Sequence, residues 1–311
     1  MPHSRQLTTN PLAEMSAVPE GLTATVPRQL VHRAAVAETL ITGGAGTDAD
    51  RFTVFAQWPR AHQLHVSSDR TAYEPLLAAE TVRQAGTLVA HTAYEVPLGH
   101  HFVLKELRIT TRPEHLAVGA VPAEPVLHMV VSDVDLRGGR PAGFRFDTEI
   151  RLGGERVATG HVAATWTSEA VYRRLRGGRT ASGVSALPLP PGLPPAEVDR
   201  VLPADVVLAP SGNPDRWQLR VDTAHAVFFD HPLDHVPGML LLEAVRQAVR
   251  TRNGRKAPVS FHTVFHQYAE LDRPTWIEIL DKQGAHDTDV QVVGQQGDST
   301  VFECAVATEK G

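Results

Sequence analysis

The chain has 311 residues, of which 42% are hydrophobic and 21% charged, with a net charge of −5 at pH 7 and one cysteine, Cys304. This length is enough for two domains of ordinary size. The composition argues against a membrane span, which requires roughly 18 consecutive apolar residues, against an internal disulfide, and against a general basic surface for nucleic acid.

The first 28 residues have no hydrophobic periodicity and predict an N-terminal tail. They lack the basic start and apolar core of a signal peptide, so the expected location is the cytoplasm. A proline-rich stretch at residues 183–198 predicts a stiff, extended linker. These features divide the rest of the chain into a first unit at residues 29–182 and a second unit at residues 199–311.

The first unit alternates between predicted strands and one long helix. The segment RFTVFAQW at residues 51–58 has the alternation of a strand with one buried face. Residues 75–91 are apolar nearly all round, which predicts a buried helix. Four further strands are predicted at HFVLKELRI, PVLHMVVSDVDL, FRFDTEIRL and VATGHVAATWT. The basic segment YRRLRGGR at residues 172–179 is interpreted as a solvated surface rather than a polyanion site.

The second unit repeats this order. A buried helix is predicted at residues 238–250, followed by strands at SFHTVFHQYAEL, TWIEILDKQ, DVQVVGQQG and STVFECAVAT. Cys304 lies in the last of these strands and is expected to be a core thiol. A helix this apolar must be covered, so the sequence predicts an α+β fold in which an antiparallel sheet wraps each central helix.

The two units correspond residue by residue. An offset of 163 aligns Glu80, Val82, Arg83, Gln84 and Ala85 with Glu243, Val245, Arg246, Gln247 and Ala248, and it also aligns the Ala-His pairs that end at His62 and His225. Chance matches would scatter over several offsets, whereas these matches keep one register. The sequence therefore predicts an internal duplication.

The charges inside the two predicted helices are the first candidates for function. Each helix carries one Glu and one Arg three residues apart, namely Glu80 with Arg83 and Glu243 with Arg246. A buried charge without a partner costs several kcal/mol, so each pair either satisfies itself or borders a cavity. If burial raises its pKa towards neutrality, Glu243 could act as a general base, and Arg246 could bind a phosphate.

The loop before the second helix supplies further candidates. Pro-Gly at the helix start leaves free backbone N–H groups near Gly238, which could stabilise an oxyanion. His225, His231 and His235 precede it, and each could orient a substrate or be a structural residue. His262 and His266 are spaced four apart on a predicted strand, which sets them roughly 13 Å apart and argues against a metal site. The sequence contains no dinucleotide or phosphate-loop motif, so no cofactor is expected.

Seven motifs carry a resemblance to a known family. They are LVHRAAVAETLIT, DRFTVFAQWPRAH, PLLAAETVRQAG, VPLGHHFVL, VYRRLRG, DHVPGMLLLEAVRQA and FHQYAEL, in this order. Together they resemble the A-factor (AfsA-type) γ-butyrolactone synthases. The resemblance implies a double hotdog, with two repeats that pair within the chain. It also implies transfer of a β-ketoacyl group from an acyl-carrier-protein thioester to the hydroxyl of dihydroxyacetone phosphate.

The family's functional residues, two helix glutamates and the second-helix arginine, map to Glu80, Glu243 and Arg246. One departure is Glu74, where relatives tend to have Asp. Another is the short loop from His231 to Glu243, which argues against a dehydratase geometry. The predicted catalytic residues are Glu243, Glu80 and His231, with the main site at the second helix. The predicted substrate-binding residues are Arg246, Arg83, Gly238, His225 and His235.

Two alternatives stay open from the sequence. A hotdog thioesterase or dehydratase would act on acyl thioesters without a phosphorylated co-substrate. A non-enzymatic acyl- or lactone-binding protein would bind such ligands without turnover, although the chain has no DNA-reading motif with which to report binding. Further dimerisation of the tandem chain is also open.

Overall fold

The computed structural model describes residues 24–252, 257–280 and 289–309. Most of the predicted N-terminal tail, residues 1–23, lies outside the described residues. The helices are α1 (Pro75–Thr92), α2 (Glu169–Leu175) and α3 (Gly238–Arg252). The strands of the first half are β1 (Ile41–Asp48), β2 (Arg51–Ala56), β3 (His101–Thr111), β4 (Val126–Arg137), β5 (Arg140–Leu152) and β6 (Glu155–Thr167). Those of the second half are β7 (Leu208–Pro210), β8 (Arg216–Leu219), β9 (Pro258–Phe265), β10 (Trp276–Leu280), β11 (Asp289–Gln296) and β12 (Ser299–Thr308).

These strands form one antiparallel sheet whose order is β1-β2-β4-β5-β6-β3-β9-β12-β11-β10-β8-β7. The order of the second half is the mirror image of the first, with β3 and β9 at the centre. Their pairing runs from Glu106 opposite Val264 to Thr110 opposite Ser260. The predicted double hotdog, with two repeats that pair within the chain, is therefore confirmed.

The central helices are buried as the apolar patterns predict. Every residue of α1 from Pro75 to His91 is buried except Arg83, and α3 is buried from Leu240 to Val249. α1 packs against β3, β5 and β6, α3 packs against β9, β10 and β11, and the two helices contact each other. A short 3-10 helix at Arg28–Val31 also packs on α1. The core is continuous from one repeat to the other.

The structure corrects the interpretation of the basic segment. Part of it forms α2, in which Tyr172 is buried, and Arg176 just after α2 is buried as well. The Arg176 guanidinium lies 2.9 Å from the Asp234 carboxylate and 2.7 Å from that of Glu270. This segment is therefore partly a structural ion-pair cluster rather than a solvated surface. Strand β1 was not predicted, because its glycines hide the alternation of buried and exposed residues.

Residues 183–194, within the predicted linker, contain neither helix nor strand, and a 3-10 turn follows at Pro195–Glu197. The domain boundaries themselves stay a prediction. Across the part of the chain that the structure describes, no helix combines the length and apolar character that a membrane span requires.

Candidate active site

A cavity of about 650 Å³ lies between the two repeats. Its walls come from α1, the start of α3 and strands β3, β5 and β6. Segments of the first repeat at residues 32–33 and 64–65, and of the second at residues 227–237 and 265–269, complete them. Glu80, Arg83, Glu243, His231, His235 and Gly238 line it, whereas Arg246 and His225 are not among its lining residues. Six of the eight predicted site residues are therefore brought to one cavity.

Glu80 lies at the centre of the first charged cluster. The Arg33 guanidinium approaches its Oε1 to 2.6 Å, Arg83 Nε donates to its Oε2 at 2.8 Å, and Gln84 Nε2 donates to Oε1 at 2.6 Å. Burial by itself raises the pKa of Glu80, but the two guanidiniums outweigh it and hold the pKa well below its ordinary value. Glu80 is thus an ionised, fully bonded carboxylate.

Glu243 has the same environment in the second repeat. Arg200 donates to both carboxylate oxygens, at 2.9 and 2.7 Å, and Arg246 does so at 3.0 Å to each. Burial raises the pKa of Glu243, yet Arg200 and Arg246 lower it overall to about 2. The condition under which Glu243 could act as a general base, a pKa raised towards neutrality, is therefore not met, because the sequence pattern revealed only one of two guanidiniums. A carboxylate this stabilised is a poor general base near pH 7.

The correspondence between the two repeats extends to Gln84 and Gln247. Gln84 Oε1 accepts from the backbone N–H of Leu40 at 2.9 Å, and its Nε2 donates to the Glu38 carbonyl at 2.8 Å. Gln247 makes the same two bonds to Val207 and Asp205, at 2.9 and 2.8 Å. These glutamines tie each helix to the segment that covers it. The repeated Glu-x-Val-Arg-Gln-Ala motif is thus in large part a structural framework.

The symmetry ends at the arginines. The Arg83 side chain is 23% exposed and borders the cavity, whereas the Arg246 side chain is 0% exposed. Arg246 Nη2 donates to the Val198 carbonyl at 3.0 Å, and its Nη1 lies 3.9 Å from the buried Glu74 carboxylate. The geometry therefore does not support a phosphate contact by Arg246, and the cavity draws on both helices rather than on the second alone. Of the two helix arginines, only Arg83 of the first helix is among the residues that line the cavity.

Two aspartate–histidine pairs lie in the loop before α3. His231 Nδ1 donates to Asp230 Oδ1 at 2.5 Å, and His235 Nδ1 donates to Asp234 Oδ1 at 2.7 Å. The Ala34 N–H also donates to the Asp230 carboxylate, at 2.8 Å. Burial raises the pKa of Asp230, but His231, Ala34 and Arg33 outweigh it, so the pKa is lowered overall. Each carboxylate fixes the proton on Nδ1 and leaves Nε2 as the acceptor. Sequence reasoning selected the histidines and missed both aspartates.

His225 has a structural role in the same loop. Its Nδ1 accepts from the backbone N–H groups of Val227 and Phe228, at 3.2 Å each, and its Nε2 lies 3.2 Å from the Asp205 carboxylate. Its counterpart His62 binds Leu64, His65 and Glu38 in the same way. The substrate contact predicted for His225 therefore has no support in the geometry.

Gly238 begins α3, where the N–H groups of Leu240 and Leu241 donate to the Pro237 carbonyl at 3.0 and 3.3 Å. Gly238 and Met239, whose N–H groups precede these bonds, line the cavity. These N–H groups are the first-turn donors that a helix leaves without an internal partner. An anion-stabilising role for this position stays a prediction.

Arg33 and Arg200, which complete the two acid clusters, were also missed by the sequence analysis. Both follow short irregular segments, so no periodicity marked them. A usable signal was present, because Val-His-Arg at residues 31–33 and Val-Asp-Arg at residues 198–200 repeat at an offset of 167. The middle residues, His32 and Asp199, both adopt positive φ, at 53° and 55°. The duplicated framework thus includes the segments that cover the helices.

Within residues 24–252, 257–280 and 289–309, no three His, Cys, Asp or Glu side chains come together as a metal site. His262 Nε2 lies 2.8 Å from Glu106 Oε1, and His266, just after β9, lies 3.7 Å from Glu303. Burial raises the pKa of the Cys304 thiol to about 12, as befits a core residue.

The comparison with known families is decisive. The model of the A-factor biosynthesis hotdog domain (AfsA) matches residues 15–168 and 185–289. The chain belongs to the A-factor biosynthesis hotdog family. Within this family, a 2-oxo-3-(phosphooxy)propyl 3-oxoalkanoate synthase of Streptomyces virginiae is 48% identical over 92% of this chain and 98% of its own. A synthase of the same name from Streptomyces griseus is 38% identical over 90% of this chain and 94% of its own. The predicted resemblance is therefore confirmed.

Solved structures support the hotdog fold of this family member. The 12:0-ACP thioesterase from Umbellularia californica superposes with a TM-score of 0.52 at 12% identity, covering 85% of this chain and 99% of that one. An acyl-ACP thioesterase from Bacteroides thetaiotaomicron gives a TM-score of 0.50 at 13% identity, covering 84% of this chain and 98% of that one. At these identities the likeness concerns the fold alone.

Proposed function

We propose that this family member is an acyltransferase that joins a β-ketoacyl group, delivered as an acyl-carrier-protein thioester, to the hydroxyl of dihydroxyacetone phosphate. The product is the 2-oxo-3-(phosphooxy)propyl 3-oxoalkanoate after which the relatives are named. The observation that carries the proposal is a cavity that combines an apolar arm, the Arg83 guanidinium and an oriented histidine in a chain with these relatives. Such a reaction belongs to γ-butyrolactone signal biosynthesis, and the cytoplasm is its proposed location.

The apolar arm suits the acyl chain. Beside Gly86 and Thr87 of α1, the cavity wall consists of aromatic and aliphatic side chains, namely Phe102, Phe144, Phe146, Val162 and Trp166. Burying a chain methylene against such a wall contributes about 0.8 kcal/mol. The exposed Lys105 and Arg137 also border the cavity. These two cations suit the phosphodiester of a carrier protein's pantetheine arm.

Arg83 suits the phosphate of the second substrate. Glu80 and the Val31 carbonyl hold its Nε and Nη2, while the side chain stays partly exposed at the cavity. A guanidinium fixed in this way presents its remaining N–H groups in a defined direction, and charge-assisted bonds to phosphate are the strong ones. In this role Glu80 positions Arg83 and Arg33. Glu243 positions Arg200 in the equivalent cluster of the second repeat.

The proposed chemistry uses His231 as the base. Its Nε2 takes the proton of the hydroxyl, and Asp230 stabilises the resulting imidazolium through Nδ1. The alcohol oxygen attacks the thioester carbonyl, and the N–H groups of Gly238 and Met239 stabilise the oxyanion. The tetrahedral intermediate then expels the carrier thiolate, which takes the proton back from His231. His235, oriented by Asp234, borders the same cavity and contacts the bound substrate.

The test compares the thioester with and without its co-substrate. Purified protein is incubated with a β-ketoacyl thioester in the presence and absence of dihydroxyacetone phosphate, and the products are analysed by mass spectrometry. A phosphate-bearing ester or the butenolide derived from it, formed only with both substrates, is the expected result. Release of free acid or enoyl product without dihydroxyacetone phosphate would indicate the thioesterase or dehydratase alternative. Binding without any turnover would indicate a non-enzymatic binding protein.

A further inference from the structure

His65 is a buried histidine whose side chain is used neither by the duplicated framework nor by the proposed acyl transfer. His65 is 5% exposed and lines the cavity. Its ring stacks on the ring of His62, with the two centroids 4.4 Å apart. Within the described residues, neither Nδ1 nor Nε2 has a hydrogen-bond partner. Leaving a buried donor or acceptor unpaired costs about 1–3 kcal/mol, so this ring weakens the fold unless a ligand or an ordered water satisfies it.

The other repeat shows that the fold itself needs no histidine here. Phe228 is the counterpart of His65 at the offset of 163, and it also lines the cavity. It packs on His225, the counterpart of His62, with ring centroids 4.5 Å apart. The turn is the same in both repeats, because His62 and His225 accept equivalent pairs of backbone N–H groups. The apolar ring of Phe228 therefore fills this position in the second repeat, and the fold does not require the two ring nitrogens that His65 has in the first.

The surroundings of His65 decide what the nitrogens can do. Burial comes first among the causes that lower its pKa well below the ordinary value, and His62, Arg33 and Arg200 add to it, whereas Glu80 opposes it. The imidazole is therefore neutral at working pH, with one N–H donor and one acceptor nitrogen. A neutral imidazole is a weak base but a good hydrogen-bond donor to a carbonyl oxygen.

The proposed acyl substrate has one carbonyl group that the described site does not yet contact. The thioester carbonyl is assigned to the start of α3, and the phosphate to Arg83. In this arrangement the 3-oxo group is two carbons further along the acyl chain, towards the apolar arm. Without a donor, that oxygen would be buried among apolar side chains at a cost of about 1–3 kcal/mol.

We propose that His65 recognises the 3-oxo group of the acyl substrate by donating a hydrogen bond to its oxygen, which makes His65 a determinant of β-ketoacyl specificity. This inference rests on the proposed acyl transfer. The contact satisfies one orphaned nitrogen of His65 and one orphaned oxygen of the substrate together. A saturated acyl chain leaves His65 unpaired, and sites that bond a polar substrate group reject analogues that lack it.

The decisive variant is His65→Phe, which places the side chain of the second repeat at the matching position of the first. The ratio of kcat/KM for a 3-oxoacyl thioester to that for the saturated thioester of equal length is measured in wild type and variant. We expect His65→Phe to lower this ratio about 10- to 100-fold. The midpoint of thermal unfolding is expected to stay the same or rise, because two unsatisfied nitrogens are removed.

Two further variants complete the series. His65→Gln retains a donor and an acceptor and is expected to give an intermediate ratio. His128→Phe replaces an exposed histidine on β4 outside the cavity lining and is expected to leave the ratio unchanged. An unchanged ratio in His65→Phe overturns the proposal. So does an equal loss for both thioesters together with a lower unfolding midpoint, because that pattern indicates a structural role.

Binding separates this inference from the proposed function. Non-hydrolysable amide analogues of 3-oxoacyl- and acyl-pantetheine are titrated into wild type and His65→Phe by calorimetry. Preferential binding of the 3-oxo analogue to wild type, lost in the variant, supports the inference even if the wild type forms no ester, in which case only the proposed function fails. Equal binding of both analogues to wild type overturns it.

Discussion

The Arg33 guanidinium, in the first repeat, lies 3.7 Å from the Asp230 carboxylate in the second. The same guanidinium binds Glu80 of α1 at 2.6 Å, and the same carboxylate orients His231. Arg33 also donates to the Val227 carbonyl at 3.1 Å. The helix acid of one repeat and the proposed base of the other therefore belong to one ion-pair network, and Arg33 is the residue that joins them.

Replacing Arg33 separates structural from catalytic effects, because Arg200 offers a matched control. Arg33→Gln and Arg200→Gln each remove one guanidinium from a buried glutamate, so both are expected to lower the free energy of unfolding by about 3 kcal/mol in denaturant titrations. Only Arg33→Gln also releases the Asp230 loop. We expect its kcat to fall at least about 10-fold below that of Arg200→Gln. Equal activities in the two variants would contradict a link through Arg33.

Asp230→Asn tests the orientation of His231. An amide in place of the carboxylate neither fixes the proton on Nδ1 nor stabilises the imidazolium, so kcat is expected to fall about 100-fold with little change in KM. Steady-state kinetics of ester formation measure this. Asp272→Asn, at an exposed carboxylate paired with Arg179, is the control and should retain full activity. A wild-type rate in Asp230→Asn would remove His231 from the proposed mechanism.

Arg83 and Arg246 form a second matched pair. Arg83→Gln is expected to raise the KM for dihydroxyacetone phosphate about 10- to 100-fold, since it removes a charge-assisted contact to the phosphate. Arg246→Gln removes a fully buried partner of Glu243 and is expected to lower the free energy of unfolding by about 3 kcal/mol without a specific rise in this KM. If the KM rises equally in both variants, the contact assigned to Arg83 is absent.

The buried glutamates predict a loss of stability in acid. The pKa of Glu243 is about 2 in the folded chain, compared with 4.5 ordinarily. A lowered carboxyl pKa contributes stability that is complete above the unfolded value and is lost as the pH falls from 4.5 towards 2. The difference corresponds to roughly 3 kcal/mol.

The measurement is the free energy of unfolding from about pH 5 to pH 3 in wild type and Glu243→Gln. We expect a smaller pH slope in the variant, which is also less stable at pH 7 because two guanidiniums lose their partner. As the pH falls, the free energy of unfolding already begins to decrease near the ordinary histidine pKa, with a smaller slope than between about pH 5 and pH 3. Burial and Arg83 lower the pKa of His32 to about 3 in the folded chain, so the unfolded state takes up that proton first. Identical slopes in both proteins would show that Glu243 does not titrate in this range.

Gly86 controls the width of the apolar arm. A Cβ at Gly86 would come within 2.7 Å of the Phe146 ring, so Phe146 must shift in Gly86→Ala. We expect the kcat/KM optimum to move to shorter acyl chains, with a stability loss of about 1–3 kcal/mol. Gly160→Ala is the control, because its Cβ would meet Val82 at 3.1 Å outside the cavity lining. It should lose stability without changing the preferred chain length.

Both central helices could be predicted closely, at residues 75–91 and 238–250 against the observed Pro75–Thr92 and Gly238–Arg252, because each is apolar nearly all round. The acids inside them were found for the same reason. Arg33 and Arg200 were not, since they reach the acids from irregular segments. The different exposures of Arg83 and Arg246 could not be predicted from the sequence, because both have the same helix position and differ in the loops that cover them.

The joining of two hotdogs in one polypeptide gives the cavity a freedom that a pair of identical subunits lacks. In a symmetric homodimer, an unpaired imidazole beside the first helix would occur a second time beside the other, and its destabilising effect would be doubled. Here the matching position in the second repeat is phenylalanine, Phe228, so the unpaired imidazole destabilises the fold at one position instead of two. Fusion thus allows one half to specialise in recognition while the other preserves the fold.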